Sequence, residues 1–341
     1  KEYAGYYITA DSSHLPLAVD MISDMIHNSK FDPKEVDRER GVIVEEINMY
    51  EDNPLMYIED VFEELMFAGT KLGRSIAGPR VNIQTISRSS LYNYYKKYYY
   101  NSNLVIGFSG NFKEAQALKL VDKLFPIEAR QARVKNTRVS LAKQSKAKVR
   151  LVKRDLEQVQ LMLGFKTLAA NDAKLMSAQV LANILGGNMS SRLFLNIRER
   201  KGLCYFIKTA ISPYEHVSAF TIQAGLNKEK TYEALEAIKL ELNDAVKEGV
   251  TIEELKRAKD NIRGRLILRL ENAGAHLNFL MSQEMIDLKI KDLEDKLKDL
   301  DKVKIADVNK IAKDIFKWSD ASLAIIGPFE NKDKFLKILN K

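Results

Sequence analysis

The sequence has 341 residues, 45% of them hydrophobic, which is enough for two domains with cores of their own. One cysteine, Cys204, excludes an internal disulfide or a cysteine-based metal cluster and favours a reducing, cytoplasmic setting. The net charge of +8 is diluted over 54 basic and 46 acidic residues, a lysine-rich solvated surface and not a nucleic-acid-binding one, and no apolar run approaches the length of a membrane span.

The chain opens on Lys1, so the lack of a targeting segment at this end says nothing about export. Gly5–Ala10 (GYYITA) is read as a strand. Leu15, Val19, Ile22 and Ile26 recur at helical spacing behind Ser12 and Ser13, which are placed to cap a helix. A second helix is predicted from Asp32-Pro33, an acid at the cap and a proline in the first turn, with Val36, Ile43 and Ile47 as its apolar stripe. Tyr92–Tyr100 interleaves tyrosines with lysines, which is explained by packing into the buried strand read at Asn103–Ser109 and not by nucleic-acid stacking. Lys113–Phe125 is an amphipathic helix. The stretch Arg130, Arg133, Lys135, Arg138, Lys143, Lys146 and Lys148, with Glu128 its only acid, reads as an exposed linker after Pro126. Strand-like runs follow at Val149–Lys153 and Val159–Phe165, and a helix, again followed by a strand, is expected between Ser190 and Tyr205. Ser322–Ile326 is a further buried strand, and another helix closes the chain.

The two ends repeat one unit. The strand–turn–helix around Phe112 recurs around Phe329, 217 residues on. The helix starting at Asp32 resembles the one starting at Thr251, at an offset of 219, and GYYITA resembles Ala219–Ala224 (AFTIQA), at an offset of 214. Three matches near one period argue for duplication. They divide the chain into a first domain over 1–126, a basic linker over 127–147 and a homologous second domain over 148–341. The second copy is then 194 residues long and the first 126, so the first is expected to lack 68 residues at its front. Strands and long helices mix without strict alternation, which predicts an α+β fold: two duplicated sandwich domains, helices packed on a mostly antiparallel sheet, the first of them incomplete.

Several residues are candidates for chemistry. Glu39 and Glu46 lie two helical turns apart on one face, beside Val42, Ile43 and Ile47, while Glu45 points elsewhere. Carboxylates beside an apolar stripe call for a bound proton or a compensating cation, whether a metal, Arg38, Arg40 or another segment. At the repeat offset of 219 the pair is replaced by Ala258 and Arg265, so it is not required by the fold. His14, His27, His216 and His276 form no HExxH or HxxEH pattern, and His14 and His27 read as cap or surface residues. Gly186-Gly187-Asn188 lacks the remainder of a phosphate loop. Ser190 or Ser191 is placed to cap a helix that Gly202 ends, and Arg198 and Tyr205 are placed to converge beside its terminus, where an arginine and a phenol suit a peptide carbonyl or an oxyanion. Cys204 reads as a small buried residue, not a nucleophile.

Four long segments, FDPKEVDRERGVIVEEINMYEDNP (31–54), LGRSIAGP (72–79), ISRSSLYNYYKKYYYNSNLVIGFSGNF (86–112) and LGGNMSSRLFLNIRERKGLCY (185–205), resemble the pitrilysin/insulinase family of zinc peptidases. The likeness is to its short two-domain members, such as the mitochondrial processing peptidase and its bacterial relatives, and implies a LuxS/processing-peptidase-like sandwich. In that family two histidines of an HxxEH helix and a later glutamate of an ExxxxxxE pair hold Zn2+. The resemblance makes Glu46 the metal ligand and Glu39 its supporting catalytic acid, and it places the HxxEH ahead of Lys1, so that the zinc site within this chain is incomplete. It makes Arg198 and Tyr205 the substrate-binding pair. It implies a zinc-dependent metalloendopeptidase that cleaves unfolded peptides with a zinc-activated water, or alternatively a non-catalytic processing-peptidase-like subunit or scaffold. The partners implied are an unfolded peptide, bound by strand addition, and a second copy in a clam-like homodimer; nucleic acid and membrane are not expected.

Overall fold

The computed structural model describes residues 1–126, 133–134, 137–286 and 288–340. In chain order its elements are α1 (Leu15–His27), α2 (Pro33–Asp52), α3 (Pro54–Met66), α4 (Arg80–Thr85), α5 (Arg88–Tyr98), α6 (Glu114–Leu124), β1 (Lys148–Lys153), β2 (Gln158–Thr167) and α7 (Leu175–Gly186). A π-helix over Phe194–Arg200 follows. The chain continues with β3 (Cys204–Pro213), β4 (Ser218–Asn227), α8 (Thr231–Lys247), α9 (Ile252–Leu270), α10 (Ala273–Met285), α11 (Leu293–Lys302), α12 (Ile305–Ile315), β5 (Ser322–Gly327) and α13 (Asp333–Asn340). By contact these form two compact units, one of residues 1–48, 76–137 and 267–292, the other of residues 49–75, 138–266 and 293–341.

The described residues of the first unit are helical or irregular. Asp11, not Ser12 or Ser13, begins the first helical segment: its carboxylate accepts from the Ser13 amide at 2.9 Å. An aspartate two residues earlier competes better for that amide than a serine inside the turn. Val19 and Ile26 of α1 bury against Phe125, and Leu120 and Val121 of α6 pack beside them. Phe31 meets Tyr95 at 5.3 Å and Tyr92 at 6.1 Å, so these tyrosines pack on Phe31 and not into the strand expected at Asn103–Ser109. The strands expected at Gly5–Ala10 and Asn103–Ser109 are not strands. Gly5–Ala10 is exposed and irregular, and the second run begins in a single 3-10 turn, Asn101–Asn103, and continues without a ladder. Their composition suits a sheet, but a strand exists only where a neighbour pairs with it, and the described residues of this unit supply none.

The second unit is built on one five-stranded sheet in the order β1-β5-β2-β4-β3. The β1–β5 pair is parallel and the rest antiparallel. Alternation along β2 assigns its two faces. Val159, Leu161, Leu163 and Phe165 point into a core shared with α7, α8 and α12, through residues such as Leu181, Ile238 and Ile311. Met162 points the other way. There, with Ala219, Ala324 and Ile326, it is covered by Ile58, Val61, Phe62 and Met66 of α3, and by Phe67. Gly164 lets this cover lie close, because a Cβ there would run into the Phe62 ring and stand 2.8 Å from the Phe220 carbonyl oxygen. Asn53 caps α3, accepting from the Leu55 amide at 3.1 Å, and Gln223 of β4 donates to the Leu55 carbonyl at 3.0 Å. Arg138, Lys143, Lys146 and Lys148 of the basic stretch are exposed, whereas Gln144 and Ala147 between them turn inward; Arg130 and Lys135 lie outside the described residues.

Candidate functional site

Glu39 and Glu46 stand on α2, in the first unit. The helix starts where the sequence placed it: Asp32 accepts from the Lys34 amide at 2.9 Å, just after Phe31 adopts a left-handed φ of 50°. Ile47 is its buried stripe residue, with Val36 and Ile43 half-buried. Both glutamates are exposed, and neither has a hydrogen-bond or ion-pair partner among the described residues. Arg38 pairs with Glu35, and Arg40 pairs with Asp37 at 3.2 Å while donating to the carbonyls of Ile83 and Ile86. The two arginines that could have neutralised the glutamates are thus committed elsewhere. Water carries that charge, at little cost for groups so exposed.

The described residues do not make a zinc site. Among those described, no three His, Cys, Asp or Glu side chains lie together, and a zinc site needs about three protein ligands. His27 is held between Ser23, at 3.2 Å, and Asn101, at 2.5 Å, with its ring 5.3 Å from that of Phe125. His216 lies 3.6 Å from Glu215, and His14 is exposed with no capping bond. Glu46 therefore stands as a single candidate carboxylate ligand.

Arg198 and Tyr205 belong to the second unit, and here the structure brings the two together. Arg198 Nε donates to the Tyr205 carbonyl oxygen at 2.9 Å, Arg198 Nη1 reaches Glu199 at 3.0 Å, and the guanidinium lies 4.6 Å from the centre of the Phe194 ring. Two departures from regular structure position them. Arg198 sits in the π-helix, a rare turn that is frequent at functional sites. Tyr205 occupies a bulge, since the β3–β4 register shifts between Cys204 and Phe206, and a bulge re-aims the extra side chain. Tyr205 is consequently 60% exposed, although Cys204 before it is 8% exposed. Gly202, at a φ of 60°, ends the helix and turns the chain into β3; the Leu203 amide bonds back to the Ile197 carbonyl at 3.0 Å. Ser191 does not cap through its side chain. Its hydroxyl donates to the Asn188 carbonyl at 2.6 Å, because the preceding turn offers an acceptor at closer range than the helix offers a free amide. Burial pushes the Cys204 thiol up to about 11, against the pull of Arg198, which fits an inert core residue.

Sequence reasoning passed over the groups that hold this corner in place. Arg192 and Glu254 form a two-pronged ion pair at 2.6 and 2.7 Å, in which burial of Glu254 opposes its charge, but the bonds from Arg192 and the Thr251 amide hold its carboxyl below the ordinary range. Asn183, buried in the otherwise apolar run LANILGG, was the visible signal of a polar anchor.

Comparison with known proteins gives the family. The family model described as Insulinase (Peptidase family M16) matches residues 1–80, and that of the Peptidase M16 inactive domain matches residues 85–262. An uncharacterized zinc protease of Bacillus subtilis, YmxG, is 33% identical over 97% of this chain and 80% of its own length. One of Streptomyces coelicolor is 31% identical over 97% and 73%. Among solved structures, a protease from Helicobacter pylori shares the fold with a TM-score of 0.83 at 20% identity, covering 94% of this chain and 78% of the other. The first half of the periplasmic protease PqqL from Escherichia coli does so with a TM-score of 0.77 at 16% identity, covering 98% and 76%. With both family models on it and near full-length likeness to proteins named zinc proteases, the chain belongs to peptidase family M16, the pitrilysin/insulinase family of zinc metallopeptidases.

Proposed function

We propose that this protein serves a zinc-dependent metalloendopeptidase of unfolded peptides, its own part being to grip the peptide backbone through Arg198 and Tyr205 and to offer Glu46, supported by Glu39, as one metal ligand. The observation that carries the reading is the junction of π-helix and bulge. It holds the Arg198 guanidinium on the backbone carbonyl of Tyr205, a residue that is itself largely exposed. Positive charge and a phenolic donor together suit peptide carbonyls and the charge that builds on them. An unfolded chain has such carbonyls free, and a folded one has them paired within its own secondary structure. Strand addition would order the peptide beside β3, the sheet-edge strand that begins at Cys204 and carries Tyr205. Chemistry on water activated by zinc belongs to a complete metal site, and one carboxylate does not make one. A homodimer enclosing the peptide is the assembly this reading carries.

The second reading, a non-catalytic subunit or scaffold, draws on two observations. In the second copy the positions matching Glu39 and Glu46 are Ala258 and Arg265, and the family model over 85–262 is that of an inactive domain. Both readings keep the peptide grip, so the grip is tested first. With a fluorescein-labelled, natively unstructured peptide, Arg198→Ala is expected to weaken binding to the chain about tenfold and Tyr205→Phe about threefold, as charged and neutral hydrogen bonds do. Unchanged anisotropy titrations for both variants would remove the site.

A further inference from the structure

Helix α9 holds the turn that leads into the π-helix at two points. Glu254 receives Arg192 Nε at 2.6 Å and Nη2 at 2.7 Å, and Arg192 Nη2 also donates to the Gly249 carbonyl at 2.8 Å. Both side chains are largely buried, at 17% and 15% exposure. Seven residues on, and so on the same face, Asn261 accepts from Asn183 Nδ2 at 2.9 Å. Asn183 in turn accepts from Asn188 Nδ2 at 3.0 Å. Asn188 then fixes the turn twice, its side chain accepting from the Ser190 amide at 2.8 Å and its carbonyl from the Ser191 hydroxyl at 2.6 Å. The unbroken path runs from α9 through the side chains of α7 to the turn, and from there into the segment that carries Arg198.

A π-helical turn is less favourable than an α-helical one and persists where its surroundings fix it. Here the fixing groups are polar, directional and at least partly shielded from water, with Asn183 and Ser191 buried, so they specify an orientation that apolar contact alone would leave loose. Ile197, one residue before Arg198, is fully buried, so a slip of the turn would carry Arg198 away from the Tyr205 carbonyl. The repeat gives the contrast. In the first copy the matching helix α2 carries the exposed pair Glu39 and Glu46, whereas α9 puts its polar groups at Glu254 and Asn261 and turns them inward.

We infer that Glu254 and Asn261 are positioning residues for peptide binding: through Arg192 and through the Asn183–Asn188 amide chain they set the π-helical turn so that Arg198 and Tyr205 meet the peptide together. The inference rests on the Arg198/Tyr205 reading above. The test is a double-mutant cycle on peptide affinity, in the full chain, at a temperature where near-UV circular dichroism shows each variant folded. Glu254→Gln and Asn261→Ala are each expected to weaken the labelled unstructured peptide roughly fivefold in the parent chain and to have no further effect in the Arg198→Ala background. The reciprocal exchange Arg192→Glu with Glu254→Arg is expected to recover most of the affinity. A residue that only supports the fold would not show this dependence on Arg198. Parent-like affinity in Glu254→Gln and Asn261→Ala beside a weakened Arg198→Ala overturns the inference and leaves the peptide site standing, as does a loss that persists in the Arg198→Ala background. Parent-like affinity in Arg198→Ala overturns both. If Glu254→Gln fails to fold, Asn261→Ala carries the same cycle.

Discussion

At Cys204 the edge strand begins with a thiol that is 8% exposed, and the next residue, Tyr205, is 60% exposed. The change follows from the bulge, which spends one residue to turn a side chain outward. The thiol makes a usable reporter of this corner. Burial raises it to about 11, so at pH 8 almost none is thiolate, and the sulfur is also screened by packing. Iodoacetamide at pH 8 is expected to leave Cys204 unmodified in the folded chain and to modify it fully in urea, as mass spectrometry would show. Rapid native alkylation would mean that the start of the strand is open. Much at this scale was legible beforehand. The seven-residue spacings of Glu39/Glu46 and Arg198/Tyr205 were visible as spacings, and the bond of Arg198 to the Tyr205 carbonyl gives the second pair a physical meaning. The bulge and the π-helix were not legible, because both depend on partners remote in sequence, such as Glu254 and Leu226.

Among the elements, α3 shows how far amphipathic patterning reaches. Asn53, Pro54 and the apolar spacing of Ile58, Val61, Phe62 and Met66 are sufficient to specify a helix with one buried face. They do not name the surface that buries it, which is the face of the sheet carrying Met162, Ala219, Ala324 and Ile326. Gly164 is where this contact is tightest. Gly164→Ala would force the Phe62 ring to move while the Phe220 carbonyl cannot, and overpacking of this kind costs about 1–3 kcal/mol. A lower urea midpoint with unchanged slope is the expected outcome; an unchanged midpoint would show that α3 stands farther off. The strands expected at Gly5–Ala10 and Asn103–Ser109 mark the opposite limit. Their β-branched and aromatic residues suggested strands and the structure has none there, because pairing is a property of two segments and one segment's sequence does not contain it.

For the molecule as a whole, family membership, the mixed fold and the sheet of the second copy followed from long motifs and from the internal repeat. The metal site does not follow from either, since Glu46 is the single ligand candidate and no three ligand-type side chains gather among the described residues. Purified after dialysis against zinc, the chain is expected to retain far less than one metal per molecule by plasma mass spectrometry and to leave an unstructured peptide uncut. Stoichiometric zinc with chelator-sensitive cleavage would refute this. The cover that α3 lays over the sheet has a consequence for heredity and engineering. Residues 49–75 sit in the front half of the chain by position but pack as part of the sheet-bearing unit. Recombination between relatives at the basic stretch would join a front half selected against one sheet to a back half bearing another, with Phe62 set over a foreign Gly164. Viable chimeras should instead exchange residues 49–75 together with the sheet they shield, so that the piece inherited intact is not a contiguous half of the chain.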